Sequence, residues 1–342
     1  MPTPLAALLR QQIAATGPLD VADYMAQCLY HPQFGYYTNG HNFLPAPTTG
    51  TPYPHDFTTA PELTPLFGAT LANWVAKNAP STAFTLMECG PGRGTLMLDM
   101  LTHLQKAHPQ TFTNALPLLV ETSPALASLQ QQTLLRFPRC QWAIAPASDL
   151  PVVLVANELL DAFPHTQNII QNSTTTKQTI TTSKTGNFHF SNLNGITDEI
   201  SPSMQTWLAQ LPQTLHAAVF LDYGTTTTSP TGDTLQAVYR HRKVGIFHRP
   251  GETDLTTHVN FHHVIQALAT SHPHLVAEPL EPLATFLLGH GLASLALSQT
   301  HAEGPHPEQD TILHRLLHPS QMGTLFQVQC LKRDDVHAHP HD

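Results

Sequence analysis

The stretch "FTLMECGPGRGTLMLDM" (Phe84–Met100) decides the fold. Six residues that suit a buried strand run into three alternating glycines, Gly90, Gly92 and Gly94. A segment of helical period, Thr95–Ala107, follows them. A phosphate-binding loop would need G-x-x-x-x-G-K-[ST], and no lysine follows these glycines. A dinucleotide fingerprint would need G-x-G-x-x-G, whereas the third glycine here comes one residue early. Pro91 also removes a backbone N–H from the turn.

Glu88, two residues before the first glycine, discriminates further. A carboxylate at the end of the strand would repel a pyrophosphate and would suit a ligand bearing positive charge. S-adenosylmethionine carries an ammonium and a sulfonium and has one carboxylate. The strand–E-x-G-x-G-x-G–helix pattern therefore reads as a site for that cofactor, with glycines that let the backbone approach it. The competing reading is a strand-to-helix turn whose glycines serve close packing. Glu121 weighs against that alternative. It ends the next strand, 116–121, where an acid in a doubly wound sheet accepts from the ribose hydroxyls of a bound nucleoside.

Outward from this stretch, strands alternate with helices. "LPLLVE" (116–121), "PVVLVAN" (151–157) and "AAVFLDYG" (217–224) are nearly all apolar, as strands of a parallel sheet covered on both faces are. Residues 5–15 and 20–29 read as helices, the second capped by Asp20. A further helix is expected across "APELTPLFGATLANWVAKN" (60–78), and another over 124–136. Residues 164–192 alternate β-formers with turn residues and read as an inserted antiparallel element. "VNFHHVIQALATS" (259–271) gives a helix and "TLFQVQCLKR" (324–333) a last strand. The expected fold is α/β: a Rossmann-like doubly wound sheet with N-terminal helices and an inserted antiparallel β element. The expected division is a helical and lid segment over 1–80, a cofactor-binding domain over 81–333 with an insertion around 164–215, and a flexible tail over 334–342. The Pro-, Gly- and Thr-rich stretch 39–56 reads as a long loop able to close over a site.

The 342 residues suffice for a sizeable core, and the net charge of −9 argues against a sequence-independent grip on nucleic acid. No run of about 18 apolar residues predicts a membrane span. Cys28, Cys89, Cys140 and Cys330 form no C-x-x-C pair, which argues against a zinc ribbon and fits a reducing compartment. The 23 histidines read as surface composition, so no metal is expected. The N-terminus reads as an amphipathic helix without a leader, and a cytoplasmic location is expected.

The reacting substrate in such a sheet lies beyond the carboxyl ends of its central strands. There "NELLDAFP" delivers Asn157, Glu158 and Asp161, with Glu158 and Asp161 at i and i+3 on one expected helical turn. They could hold a guanidinium by paired hydrogen bonds. The alternative is a helix cap by Asn157 with an acidic first turn. Asp222 and Tyr223 fall on the same rim. "DFTTAPELTPLFG" (56–68) offers Thr59 towards the cofactor, or Thr59 or Thr64 as a helix cap. His258 is a further candidate for substrate contact.

"HPQFGYY", "DFTTAPELTPLFG", "MECGPGRGTLMLDML", "ETSPAL", "ANELLDAFP", "DLTTHVNF" and "MGTLFQVQCLKR", in this order, resemble the MidA-like class I methyltransferases. Mitochondrial members of that family help assemble respiratory complex I. The resemblance covers roughly residues 17–333. It implies an S-adenosylmethionine-binding Rossmann-like domain and protein arginine methyltransferase activity, hence a protein substrate. Two other readings stand beside it: a cofactor-binding assembly protein with little turnover, and a methyltransferase for a small molecule or RNA base. Departures from the family pattern, His55 and the stretch "EPLATFLLGHGL" (281–292), lie on the lid and acceptor sides. Oligomeric state is not legible.

Overall fold

The computed structural model describes residues 2–38, 59–171, 174–192, 198–226, 232–304 and 308–334. They fall into two compact units, each discontinuous in sequence. One comprises Thr58–Leu159, Leu208–Thr225 and His263–Asp342. The other comprises Met1–Phe57, Leu160–Trp207 and Thr226–His262.

The first unit is built on a twisted sheet whose strands are labelled in chain order. They are β1 (Phe84–Cys89), β2 (Ala115–Val120), β3 (Gln141–Trp142), β4 (Val152–Asn157), β5 (Leu215–Thr225), β6 (Leu275–Ala277) and β7 (Phe326–Arg333). They lie side by side in the order β6-β7-β5-β4-β1-β2-β3. Pairing is parallel from β5 through β4, β1 and β2 to β3. It is antiparallel where β7 meets β5 and β6. Every residue of β1 is buried, as are the first five of β4. Parallel neighbours need crossover connections, and helices packed on both faces leave the strands no wet side.

The helix after β1, α2 (Thr95–Ala107), buries Leu96, Met97, Met100, Leu101 and Leu104 as one stripe. It packs against α1 (Pro65–Asn78), whose buried face includes Phe67, Leu71, Trp74 and Val75. The single helix expected over 60–78 is two pieces, Ala60–Leu63 and α1. Thr64, preceding Pro65, is driven to an extended conformation (φ −164°, ψ 140°), which interrupts the helix. Its hydroxyl accepts from the Leu66 N–H at 3.3 Å and caps α1, so the cap falls to Thr64 and not Thr59. The short helices Leu283–Gly289, Leu292–Glu303 and Gln309–Leu317 carry no long apolar period that would have exposed them in the sequence.

From β1 the chain steps outward to β2 and β3, then returns to β4 on the other side of β1. That reversal separates the loops leaving β1 and β4 and opens a crevice beyond their carboxyl ends. It places the glycine loop beside the segment that starts at Glu158.

The second unit gathers segments far apart in sequence. Leu19–Asp20 pairs antiparallel with Thr179–Thr182, which pairs in turn with Phe188–Phe190. Leu5, Leu9, Tyr24, Met25 and Tyr36 share one apolar core with Ile180, Ala237 and Leu255. Helices Pro4–Thr16 and Val21–Tyr30 start at side-chain caps from Thr3 and Asp20. These units are drawn differently from the sequence-based division. The N-terminal helices and the expected insertion bury their apolar faces together, a partnership that only long-range strand pairing creates. The loop 39–56, Asp56, Thr58 and the tail beyond Asp334 lie outside the described residues. Among the described residues, no helix is long and apolar enough to cross a membrane.

Candidate active site

All three loop glycines adopt left-handed backbone: Gly90 at φ +69°, Gly92 at +52° and Gly94 at +81°. A side chain at any of them would be strained. Their surroundings separate their roles. A Cβ at Gly90 would lie 2.9 Å from Leu159 Cδ1, so this glycine lets the loop meet the segment after β4. A Cβ at Gly94 would lie 3.4 Å from Gln130 Cα. A Cβ at Gly92 would meet nothing within 4 Å among the described residues, so this is the glycine whose bare face is open to a ligand.

Glu88 closes the floor beneath the loop. Only 3% of it is exposed, and among the described residues its Oε2 has no hydrogen-bond partner. The Met97 N–H, in the first turn of α2, bonds to the carboxylate, but burial dominates and pushes its pKa up to about 8, with Asp99 adding to the rise. A buried carboxylate oxygen in this state suits a donor or cation supplied by a ligand.

Glu121 sits just past β2. Its Oε1 accepts from the Ser123 N–H at 2.7 Å and its Oε2 from Gln130 Nε2 at 3.1 Å. Burial raises its pKa, and these hydrogen bonds work against the rise. Gln130 is a residue that sequence reasoning missed. It projects from the helix Pro124–Thr133, is fully buried, and also donates to the Gly92 carbonyl at 2.8 Å. Its Oε1 accepts from Trp142 Nε1 at 2.9 Å. The available signal was a glutamine four residues after Leu126, on the apolar face of its helix.

At the end of β4, Asn157 Nδ2 donates to Glu158 Oε1 at 3.1 Å, and the Ala60 N–H donates to the same oxygen at 3.3 Å. Burial pushes the Glu158 pKa up to about 7; Asn157 and Ala60 counter that, and Glu62 adds to it. Glu158 itself is in the left-handed region, at φ +50°. A side chain held there costs of order 1–3 kcal/mol and persists only when its surroundings enforce it. They do so here. The Glu158 N–H bonds the Leu221 carbonyl at 2.9 Å, and the Leu159 N–H bonds Asp222 Oδ2 at 3.2 Å. The other oxygen of Asp222 accepts from the Tyr223 N–H at 2.9 Å. Asp222, 1% exposed, thus pins the rim from beneath, and the Tyr223 ring lies 3.9 Å from that of Phe326.

The helical turn expected to carry both Glu158 and Asp161 is not formed. The left-handed Glu158 breaks any α-helix at its first residue, and a 3-10 turn, Leu160–Ala162, follows. The helix cap expected of Asn157 disappears with it. Asp161 and His258 belong to the second unit. There the Asp161 carbonyl accepts from the Thr257 N–H at 3.0 Å, and the His258 N–H bonds Thr234 Oγ1 at 2.9 Å. Burial, with Lys243 nearby, lowers the His258 pKa. Thr59 precedes the Ala60–Leu63 helix without a side-chain cap bond, and Arg93 of the glycine loop reaches Glu62 of that helix at 3.8 Å.

Residues 66–199 and 184–277 match the protein family described as "Putative S-adenosyl-L-methionine-dependent methyltransferase". The chain belongs to this family. Its cofactor is S-adenosylmethionine, and the methyltransferase fold and chemistry expected from the sequence hold. A crystal structure from Burkholderia thailandensis, bound to S-adenosyl-homocysteine, is 27% identical, has a TM-score of 0.81, and matches 96% of this chain and 92% of its own. The mitochondrial protein arginine methyltransferase NDUFAF7 homolog of Caenorhabditis elegans is 28% identical over 301 residues, 74% of this chain and 69% of its own. The mitochondrial NDUFAF7 protein of Rattus norvegicus is 37% identical over 137 residues, but the match spans only 30% of its length. These relatives overturn one expectation. The sequence pointed to the cytoplasm, whereas the curated methyltransferases it matches are named as mitochondrial.

The residues present fit the cofactor. An open glycine face, an unpartnered buried Glu88 oxygen and a two-oxygen acceptor at Glu121 meet in one unit, around the crevice of the sheet.

Proposed function

We propose that this methyltransferase acts on arginine side chains of a protein substrate. The curated relatives carry that activity in their names. The observation that supports it in this chain is Glu158: a carboxyl at the end of β4, held by Asn157 and Ala60, strained into place, and with its pKa pushed to about 7. Gly90, Gly92 and Gly94 would form the loop that holds the cofactor, Gly92 offering its bare face, with Thr59 flanking them. Glu88 would face its ammonium end and Glu121 its ribose. When bound, S-adenosylmethionine supplies an electrophilic methyl group on a sulfonium.

The remaining work falls to the protein. Ionised Glu158 pairs with a guanidinium through Oε2, since Oε1 already accepts from Asn157 and Ala60, and this turns one nitrogen towards the methyl donor. Asn157 keeps the carboxylate in that orientation. As the nitrogen–carbon bond forms and the carbon–sulfur bond breaks, the nitrogen loses a proton, and a carboxylate with a pKa near 7 is suited to accept it. Asp222 contributes by holding the turn.

Transfer from isotope-labelled S-adenosylmethionine into a protein extract, followed by acid hydrolysis, tests the reading. Label is expected in methylarginine, with loss in Glu158→Gln. Label confined to RNA or to small molecules would refute it.

A further inference from the structure

Gln130 makes three hydrogen bonds that together leave its amide no freedom. The indole N–H of Trp142 can only donate, so the group facing it must be the Gln130 oxygen. The NH2 group then points the other way, and its two hydrogens divide between the Gly92 carbonyl at 2.8 Å and Glu121 Oε2 at 3.1 Å. One side chain therefore ties the open glycine to the acid after β2, and a third strand fixes its orientation. The side chain is completely buried, so an unmade bond here costs the desolvation of the group.

The consequence is chemical. Glu121 has a donor on each oxygen: the Ser123 N–H at 2.7 Å on one and Gln130 on the other. The Thr122 N–H bonds the carboxylate as well. A carboxylate held this way cannot rotate, and its four acceptor sites are not all used, so it can still accept from a ribose hydroxyl. The same Gln130 amide anchors the peptide whose glycine faces open space.

We infer that Gln130 is a positioning residue that couples the ribose-binding carboxylate to the glycine loop, with Trp142 setting the direction of its amide. This rests on Glu121 receiving the ribose. Cofactor affinity should then depend on Gln130 largely through Glu121. A merely structural glutamine would affect affinity equally whether or not Glu121 is present.

A double-mutant cycle measures this, using calorimetric Kd values for S-adenosyl-homocysteine. Gln130→Met, similar in length, should weaken binding about ten-fold, the magnitude of a hydrogen bond to a charged group. Glu121→Ala should weaken it at least as much. In the Glu121→Ala background, Gln130→Met should cost no more than about three-fold, the share left to the Gly92 bond. Trp142→Phe removes the orienting N–H together with part of the ring, at a residue that is only partly buried. It should give a smaller loss that likewise vanishes without Glu121, and it keeps the test available if Gln130→Met does not fold. Equal losses in both backgrounds would overturn the coupling. An unchanged Kd in Gln130→Met beside a weakened Glu121→Ala would overturn it as well. If Glu121→Ala itself binds normally, the ribose assignment falls first and the coupling with it.

Discussion

Replacing Glu88 with glutamine should make the ligand-free protein more stable, and increasingly so as pH rises. Glu88 has an ordinary value of 4.5 that burial pushes to about 8 in the folded chain. A carboxyl whose folded value is raised binds its proton more tightly folded than unfolded. Below pH 4.5 both states are protonated and the group costs nothing. Between 4.5 and 8 the unfolded chain ionises while the folded chain does not, and stability falls by about 1.4 kcal/mol per pH unit. At pH 7 the accumulated cost is about 3 kcal/mol; at pH 8 it is about 4 kcal/mol, and it levels off above that. Glutamine has no charge to suppress, so the difference between Glu88→Gln and the unmodified protein should be near zero at pH 4.5 and grow to these values. Urea titrations at several pH values, followed by tryptophan fluorescence, would read it, because Trp74 and Trp142 lie in the same unit as Glu88. Cofactor binding should move the other way. An ionised Glu88 beside the ligand's ammonium requires proton release, so binding at pH 7 should release up to about one proton. Calorimetry in buffers of different ionisation enthalpy would show this, and Glu88→Gln should abolish it while weakening affinity. A stability difference that stays flat from pH 5 to 8, or a less stable variant at pH 8, would refute the buried-charge reasoning.

The pH profile of methyl transfer should rise through about 7, where Glu158 ionises, because its neutral form cannot pair with a guanidinium; Glu158→Gln should flatten that limb and lower kcat at least ten-fold. Gly92→Ala and Gly90→Ala should separate binding from folding. The first meets open space and should lose S-adenosyl-homocysteine affinity at a stability cost of about 1 kcal/mol, whereas the second, 2.9 Å from Leu159, should show a larger drop in melting temperature. In the second unit, a Cβ at Gly35 would sit 2.5 Å from the His31 nitrogen and 2.7 Å from the Leu29 carbonyl oxygen. Backbone atoms cannot step aside, so Gly35→Ala should destabilise the protein by more than about 2 kcal/mol in denaturant titration.

The parts of the candidate site that stood out in the sequence were those whose chemistry is local. Glu88 and the three glycines lie within seven residues and declare themselves by residue type, and Glu121 ends an apolar run. Gln130 could not be read so: its role comes from two partners, Gly92 and Trp142, 38 and 12 positions away. Asp222 is similar. On the strand it looks like a polar group on the rim, yet its oxygens are taken by the backbone of Leu159 and Tyr223. The pair at Glu158 and Asp161 was misread because spacing of i and i+3 assumes helical backbone. A parallel-strand hydrogen bond from Glu158 to Leu221 enforces a left-handed residue instead.

By itself the sequence determined what local pattern and residue chemistry can determine. Apolar runs without polar alternation demanded a parallel sheet buried on both faces, and the glycine spacing with Glu88 demanded a cofactor other than a phosphate ligand. Tertiary structure decided what depends on partners distant in the chain. It joined residues 4–30 to residues 160–207 and 226–262 in one core, because neither set of segments can bury its apolar face alone. Among the described residues it left one oxygen of Glu88 without a partner, gave Glu121 donors from Ser123, Gln130 and Thr122, and set the strained turn at Glu158. Those contacts set the direction in which each carboxyl's pKa moves and which way it faces, and no count along the chain contains that information.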